Sequence, residues 1–260
     1  MKRQFFRAFS LTLAVYLAGI AAAVWFIEPP GAPVDQSVRQ PVEYSPDPEE
    51  DLIVLGVIRS DPPVVLLTGF FPAREAMAAA LLPEDLLLDG RSTSDWLETG
   101  GISGLRQAVE REYSLTVDGE LSGPPAAWEA LTQGMGAAVL ELEEDTPVEL
   151  DSETVILRAG RQRLDSRLSL AVFRDSPAEG SALAAAWCEV LSRSAGTLGT
   201  EGLFERISGG FDSDLGYDRL ARHIQGLEWL GTENVPARAA DPRRAGEVEE
   251  AFVRSVETVS

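Results

Sequence analysis

Hydrophobic positions along the chain fall into three patterns. From Ala8 to Ile27 the run AFSLTLAVYLAGIAAAVWFI carries no charge, and about 20 apolar residues at ~1.5 Å rise match the thickness of a bilayer core. Residues 28–50, EPPGAPVDQSVRQPVEYSPDPEE, show no apolar period and hold six prolines, the composition of an extended stalk. From Leu52 onward, short β-branched runs alternate with longer amphipathic stretches, the signature of an α/β layered domain. The pattern predicts strands at 52–58, 64–67, 78–82, 115–117, 137–142 and 155–157. It predicts helices at 103–112, 124–134, 166–172, 178–194, 201–206 and 217–227. Pro124 and Pro125 suit a first helical turn, and Gly134 and Gly136 suit a helix end. The last segment, 239–260, has a charged face and few large apolar residues, which predicts a surface helix or a loose tail. The expected layout is therefore 1–7, a transmembrane helix at 8–27, a stalk at 28–50, a folded domain at 51–238 and a charged tail at 239–260.

Charge gives the apolar run a direction. Lys2, Arg3 and Arg7 precede it and Glu28 follows it, so the positive-inside rule places the N-terminus in the cytoplasm and the main domain outside. A cleaved signal peptide, with Ala21-Ala22-Ala23 as the cleavage region, is the rival reading; the run exceeds the usual ~7–15-residue apolar core of such peptides, which favours an anchor. No acid precedes Glu28 and three of the 22 basic residues do, so 42 acids face 19 bases in the exported part. That balance argues against binding nucleic acid or an anionic membrane surface by charge. Cys188 is the sole cysteine, so stability rests on a core rather than on an internal disulfide. Lys2 is the sole lysine, a bias of GC-rich bacterial genomes.

Three segments carry a family resemblance. The first is Gly100-Gly101-Ile102-Ser103-Gly104-Leu105 with Tyr113-Ser114-Leu115-Thr116-Val117-Asp118, then Ala127-Trp128-Glu129-Ala130-Leu131 and Gly136. The second runs from Gly160 to Arg174 and matches a G-x-x-x-L-D-G-x-x-A-L-A-Y-x-R pattern at Gly160, Leu164, Asp165, Leu170, Ala171 and Arg174. The third is Phe211-Asp212-Ser213-Asp214-Leu215, similar to a late T-D-L-S helix start with Asp214 as cap. In this order, over roughly 52–236, the chain resembles the LytR-CpsA-Psr family. The resemblance implies a three-layer α/β/α sandwich with a central mixed sheet. It also implies an extracytoplasmic phosphotransferase that moves a glycopolymer from a polyprenyl-pyrophosphate carrier to the cell wall. Such chemistry uses an apolar slot for the lipid, arginines for the pyrophosphate and an acid-held magnesium ion.

The residues that the resemblance would make functional are mostly replaced. Arg59-Ser60-Asp61 corresponds to the family's R-S-D-T, with Asp61 as the metal acid, but Pro62 stands for the threonine. The P-R-D element is Pro83-Glu84-Asp85, with Asp85 a second candidate metal acid. The K-I-N element near Thr99 is missing. Arg174 is kept, while the second arginine of R-x-R is Ser176, and the downstream R-x-x-R-Q stretch has become the uncharged run from Ser181 to Cys188. A carboxylate ~4 Å from a phosphate is repulsive by about 4 kcal/mol at an effective dielectric near 20, and each lost arginine removes attraction of similar size.

Candidate catalytic residues are therefore Arg59, Asp61 and Arg174, with Arg161 and Arg163 as substitute anion ligands. The expected function is non-catalytic binding or scaffolding in wall assembly; the alternative is an active transferase. No cofactor is expected under the first reading, and magnesium only under the second. Expected partners are the bilayer, through 8–27, and a polyprenyl lipid or wall polymer.

The remaining constellations have simpler readings. His223, the sole histidine, lies within a predicted helix and reads as a structural core residue, as does Cys188. The cluster Arg158, Arg161, Arg163, Arg167 and Arg174 is either an anion-site remnant or the surface answer to the acids of 141–149. Those acids lack the residue order of a calcium loop.

Overall fold

The computed structural model describes residues 44–252. The expected transmembrane helix and most of the expected stalk lie outside these residues. Among the described residues no helix is long and apolar enough to cross a membrane.

Three hydrophobic strands build the centre: β1 (Leu52–Ile58), β2 (Val64–Phe71) and β3 (Ala76–Leu82). They pair antiparallel in sequence order, with Leu55 opposite Leu67 and Leu67 opposite Ala80. Alternate residues point to opposite faces, and both faces are covered. Leu52, Val54 and Ile58 enter one core, whereas Ile53, Leu55 and Val57 enter another. The unbroken apolar runs of β1 to β3 follow from this double burial.

Two short strands, β4 (Leu87–Leu88) and β5 (Arg91–Ser92), lead into helix α1 (Thr93–Glu112). Ser92 caps it by accepting from the Asp95 amide at 3.0 Å, and the Asp95 carboxylate reaches back to the Ser92 amide. The helix breaks at Gly101, with φ 62° and ψ −165°, so the predicted helix at 103–112 is its second arm.

The strand expected at 115–117 lies instead at β6 (Gly119–Gly123), which pairs parallel to β1. Asp118 sets this register: its amide donates to the Ile53 carbonyl and its carboxylate accepts from the Ile53 amide, both at 2.8 Å. The sequence GELSG has poor strand propensity, and tertiary approach makes it a strand. A Cβ on Gly119 would come within 2.5 Å of Leu215.

Helix α2 (Pro125–Thr132) follows, with Pro124 as its cap residue. Four strands then form two small ribbons. Strand β7 (Ala138–Leu142) pairs with β10 (Gly160–Leu164), and β8 (Thr146–Leu150) pairs with β9 (Glu153–Leu157).

Helices α3 (Ser166–Asp175), α4 (Pro177–Ser208) and α5 (Tyr217–Thr232) cover the first core. Helix α4 joins the two predicted helices at 178–194 and 201–206, with a break at Gly199 (φ 63°, ψ −179°). It meets α5 so closely that a Cβ on Gly231 would lie 2.3 Å from the Ser192 carbonyl oxygen. The six-stranded sheet is completed by β11 (Asp212–Ser213) and β12 (Ala237–Ala239), in the order β11-β6-β1-β2-β3-β12.

Two segments read from sequence as peripheral are built into the domain. Residues 44–50, the end of the expected stalk, pack on α5: Tyr44 stacks at a tilt on Trp229, and the Tyr44 hydroxyl donates to Glu50. Where a surface helix or loose tail was expected, helix α6 (Ala245–Phe252) buries Val248, Ala251 and Phe252 in the second core.

Candidate functional site

At the end of the sheet where β3 stops, Pro83, Glu84 and Asp85 turn away from the strand. Helix α3 ends there with Phe173 and Arg174, and α4 begins there with Pro177. These residues, with Pro62 and Pro63 from the β1–β2 turn, enclose a groove of about 310 Å³.

Arg174 reaches the groove because the helix that carries it is pinned. Asp165 caps α3 by accepting from the Leu168 amide at 2.9 Å. Phe173 and Trp187 both meet Trp128 edge-on, with ring centroids 6.2 and 5.1 Å away. The Trp187 indole donates to Ser169 at 2.8 Å inside the core. The Arg174 guanidinium then donates through Nη2 to the Glu149 carbonyl at 2.9 Å, while its Nε is buried with no hydrogen-bond partner among the described residues.

The groove contains a second arginine that the sequence pattern did not single out. Arg243, from the loop before α6, lines it and donates to both carboxylate oxygens of Asp85 at 2.8 and 3.0 Å. Its signal in the sequence is indirect: Val248, Ala251 and Phe252 fall at helical spacing, so the segment carrying Arg243 had an apolar face to dock. The groove thus holds two guanidinium groups against the carboxylates of Glu84 and Asp85.

The other predicted site residues do not gather there. Arg59 sits at the end of β1, where its amide donates to the Gly123 carbonyl and its guanidinium pairs with Asp212 at 2.8 Å; both side chains are more than half exposed. Asp61 is exposed and does not line the groove, although Pro62 does. Asp85 lines it but is engaged by Arg243. Among the described residues no group of three or more His, Cys, Asp or Glu could hold a metal ion; of the two candidate metal acids, Asp85 lines the groove and Asp61 does not.

Arg161 and Arg163 are exposed on β10, opposite Glu141 and Val139 of β7, away from the groove. Their neighbours in the basic cluster answer surface acids. Arg158 pairs with Asp145 and Arg167 with Asp151. The Asp145 carboxyl is held below its ordinary range chiefly by the Ala159 amide and then by Arg158.

Asp214 does not cap a helix. Gly216 takes that position at the start of α5, and Asp214 accepts from the Glu120 amide at 2.6 Å and from Arg106 at 3.0 Å. His223 is buried, with Nδ1 2.9 Å from the Glu50 carbonyl oxygen. Cys188 is fully buried, and burial pushes its thiol up out of the reactive range.

An apolar slot lies between the sheet and the helices, walled by Leu52, Val54 and Phe70 on one side and by Leu191, Leu203 and Leu227 on the other. Its free volume is about 80 Å³, well below the ~300–1,000 Å³ of typical preformed ligand pockets. The short arm of α4 beyond Gly199 closes it with Leu203 and Ile207, and Arg206 fastens that arm to the Leu131 carbonyl at 2.9 Å.

This arrangement, a mixed sheet covered on both faces with a groove where β3 meets α3 and α4, is a LytR-CpsA-Psr-like fold. No protein-family model matches the sequence and no curated protein matches it. Among solved structures, a protein of Eubacterium siraeum described as a candidate transcription regulator superposes with a TM-score of 0.68. It is 12% identical, and the match covers 85% of this chain and 98% of that one. TagV of B. subtilis, a LytR-CpsA-Psr protein, superposes with a TM-score of 0.58 at 13% identity, over 78% of this chain and 94% of TagV. Protein gbs0355 of Streptococcus agalactiae gives 0.53 at 12% identity, over 72% and 75%. At these identities the likeness is one of fold.

Proposed function

We propose that this chain is a membrane-anchored, extracytoplasmic cell-envelope protein that serves wall assembly by binding or scaffolding rather than by phosphoryl transfer. The observation that carries this reading is the groove at the end of β3. Where the family resemblance calls for a phosphate-binding arginine stands Glu84, and beside it Asp85 occupies Arg243. Of the candidate catalytic residues only Arg174 lines the groove. Transfer of a phosphoryl group needs cations aimed at charge that develops on its oxygens, and here two arginines are offset by two carboxylates.

In this reading residues 8–27 hold the protein in the bilayer with its N-terminus in the cytoplasm. The domain meets a polyprenyl lipid or a wall polymer outside. The narrow apolar slot supports a binding role only if the short arm of α4 yields. A transferase is the second reading, favoured by one observation: Arg174 and Arg243 share a single groove.

The two readings separate in one experiment. The full-length protein, expressed in a membrane-containing host, is released in mild detergent and examined by native mass spectrometry for co-purified polyprenyl phosphates. It is then assayed for polymer transfer with and without added magnesium. Carrier or polymer bound without transfer supports the binding role. Transfer that is lost in Arg174→Ala would overturn it.

A further inference from the structure

A second cleft, of about 330 Å³, lies at the other end of the sheet from the groove. Strand β3 ends at Leu82, which pairs with Val65, and Val65 pairs with Val57 near the end of β1. The second cleft is lined instead by Asp51 and Asp118, the residues just before β1 and β6. The length of β1, 7 residues at ~3.3 Å each, separates the two ends, so a small ligand in this cleft does not reach the groove.

The lining is charged and firmly positioned. Arg106, on the second arm of α1, donates to Glu110 at 3.3 Å, to Asp214 at 3.0 Å and to the Val117 carbonyl at 2.5 Å, one bond from each nitrogen. It supplies fixed positive charge. Arg219, in the first turn of α5, donates through Nη1 to the Asp118 carbonyl, which leaves its other nitrogens available. Arg222 lies one turn further along α5, is exposed, and makes no hydrogen bond or ion pair among the described residues. His223 holds this helix against the segment before β1, with Nδ1 2.9 Å from the Glu50 carbonyl oxygen. That segment brings the exposed Glu49 and the buried Asp51 to the cleft. The Asp118 carboxylate joins them while accepting from the Ile53 amide at 2.8 Å.

Three arginines and three carboxylates therefore line one small space, the available guanidinium donors on α5 and the carboxylates where the chain enters the sheet. A simple anion or cation meets repulsion there as well as attraction, whereas a molecule carrying both charges gains at both of its ends. Guanidinium forks suit a carboxylate, and the volume falls at the lower end of the ~300–1,000 Å³ typical of small-molecule sites. We propose that this cleft binds a small zwitterion, a free amino acid or short peptide, whose carboxylate sits on Arg219 and Arg222 and whose ammonium meets Asp51. The site is separate from the groove and goes beyond the envelope role proposed above.

The test is isothermal titration of the full-length protein in neutral detergent with alanine and with alanylalanine. N-acetylalanine, which lacks the ammonium, and alaninamide, which lacks the carboxylate, serve as controls, and each should bind about tenfold or more weakly than the better zwitterion. Arg222→Ala, at an exposed position, should weaken binding by about tenfold or more through lost charge-assisted hydrogen bonds, with thermal unfolding unchanged. Asp51→Asn should weaken it similarly; because Asp51 is buried, the N-acetylalanine comparison tests the same contact in the unaltered protein. Tighter binding of alanine fits charges carried on one residue and tighter binding of alanylalanine fits a wider spacing, and either supports the site. No binding of either zwitterion, a control that binds as tightly as they do, or binding unchanged in Arg222→Ala overturns it. In each of those cases the reading of the groove still stands.

Discussion

Replacing Phe252 by alanine should lower the stability of the domain by about 3–5 kcal/mol. The ring is fully buried, meets Phe71 edge-on at 6.2 Å and 89°, and lies over Gly69, where a Cβ would stand 3.0 Å from its Cδ1. Removing it strips apolar contact from the face of β2 and leaves a cavity that Val248 and Ala251, themselves fixed in α6, cannot fill. The loss includes ~0.5–1.5 kcal/mol from the aromatic pair. Against a total stability of ~5–15 kcal/mol, this is a fifth or more. With a urea dependence of about 2 kcal/mol per molar, the unfolding midpoint should fall by ~1.5–2.5 M. Tryptophan fluorescence and far-ultraviolet circular dichroism, recorded on the same urea series, would measure it. Glu250→Ala, which removes the exposed partner of Arg238 on the same helix, should leave the midpoint in place. A fall of less than about 0.5 M in Phe252→Ala would refute the reasoning, because it would mean that α6 does not support the second core.

Other outcomes follow from single contacts. Ser169→Ala leaves the buried Trp187 indole N–H without its acceptor and should cost ~1–3 kcal/mol; adding Trp187→Phe should recover part of that loss, and strict additivity of the two changes in urea titrations would count against a hydrogen-bond origin. Gly199 has φ 63° and ψ −179°, with no atom within 4 Å of a built Cβ, so Gly199→Ala should destabilise by ~1–3 kcal/mol through backbone strain alone and hasten proteolysis of the short arm of α4; an unchanged melting curve would contradict this. Asp145 has its carboxyl lowered in the folded state, so its contribution is present above the ordinary carboxylate range and lost as pH falls through the lowered value. Asp145→Asn should therefore flatten the acid side of the stability profile, and an NMR titration placing the Asp145 carboxyl at or above its ordinary range would exclude the mechanism.

What the chain alone determined was its central hydrophobic architecture. The runs of β1 to β3 are apolar on both faces, so they announced a buried sheet, and β1 was placed residue for residue. Helices α3 and α5 started where expected because their apolar periods and flanking residues are local properties. The replacement of phosphate-binding arginines by Glu84, Ser176 and the run from Ser181 to Cys188 was equally legible, since it needs only residue identity. Tertiary structure decided the rest. Strand β6 forms from GELSG because Asp118 locks it to Ile53 and because glycine admits Leu215, neither of which a propensity can show. The end of the stalk, at 44–50, and the charged segment at 239–252 became parts of the domain through distant apolar partners, Trp229 and Phe71. The fate of each arginine was set by which acid it met in space: Asp212 drew Arg59 away from the groove, β10 carried Arg161 and Arg163 elsewhere, and Arg243 arrived from beyond the expected domain boundary. Charge is read from sequence, but the groove depends on distances of a few ångströms, and only the packed chain fixes those.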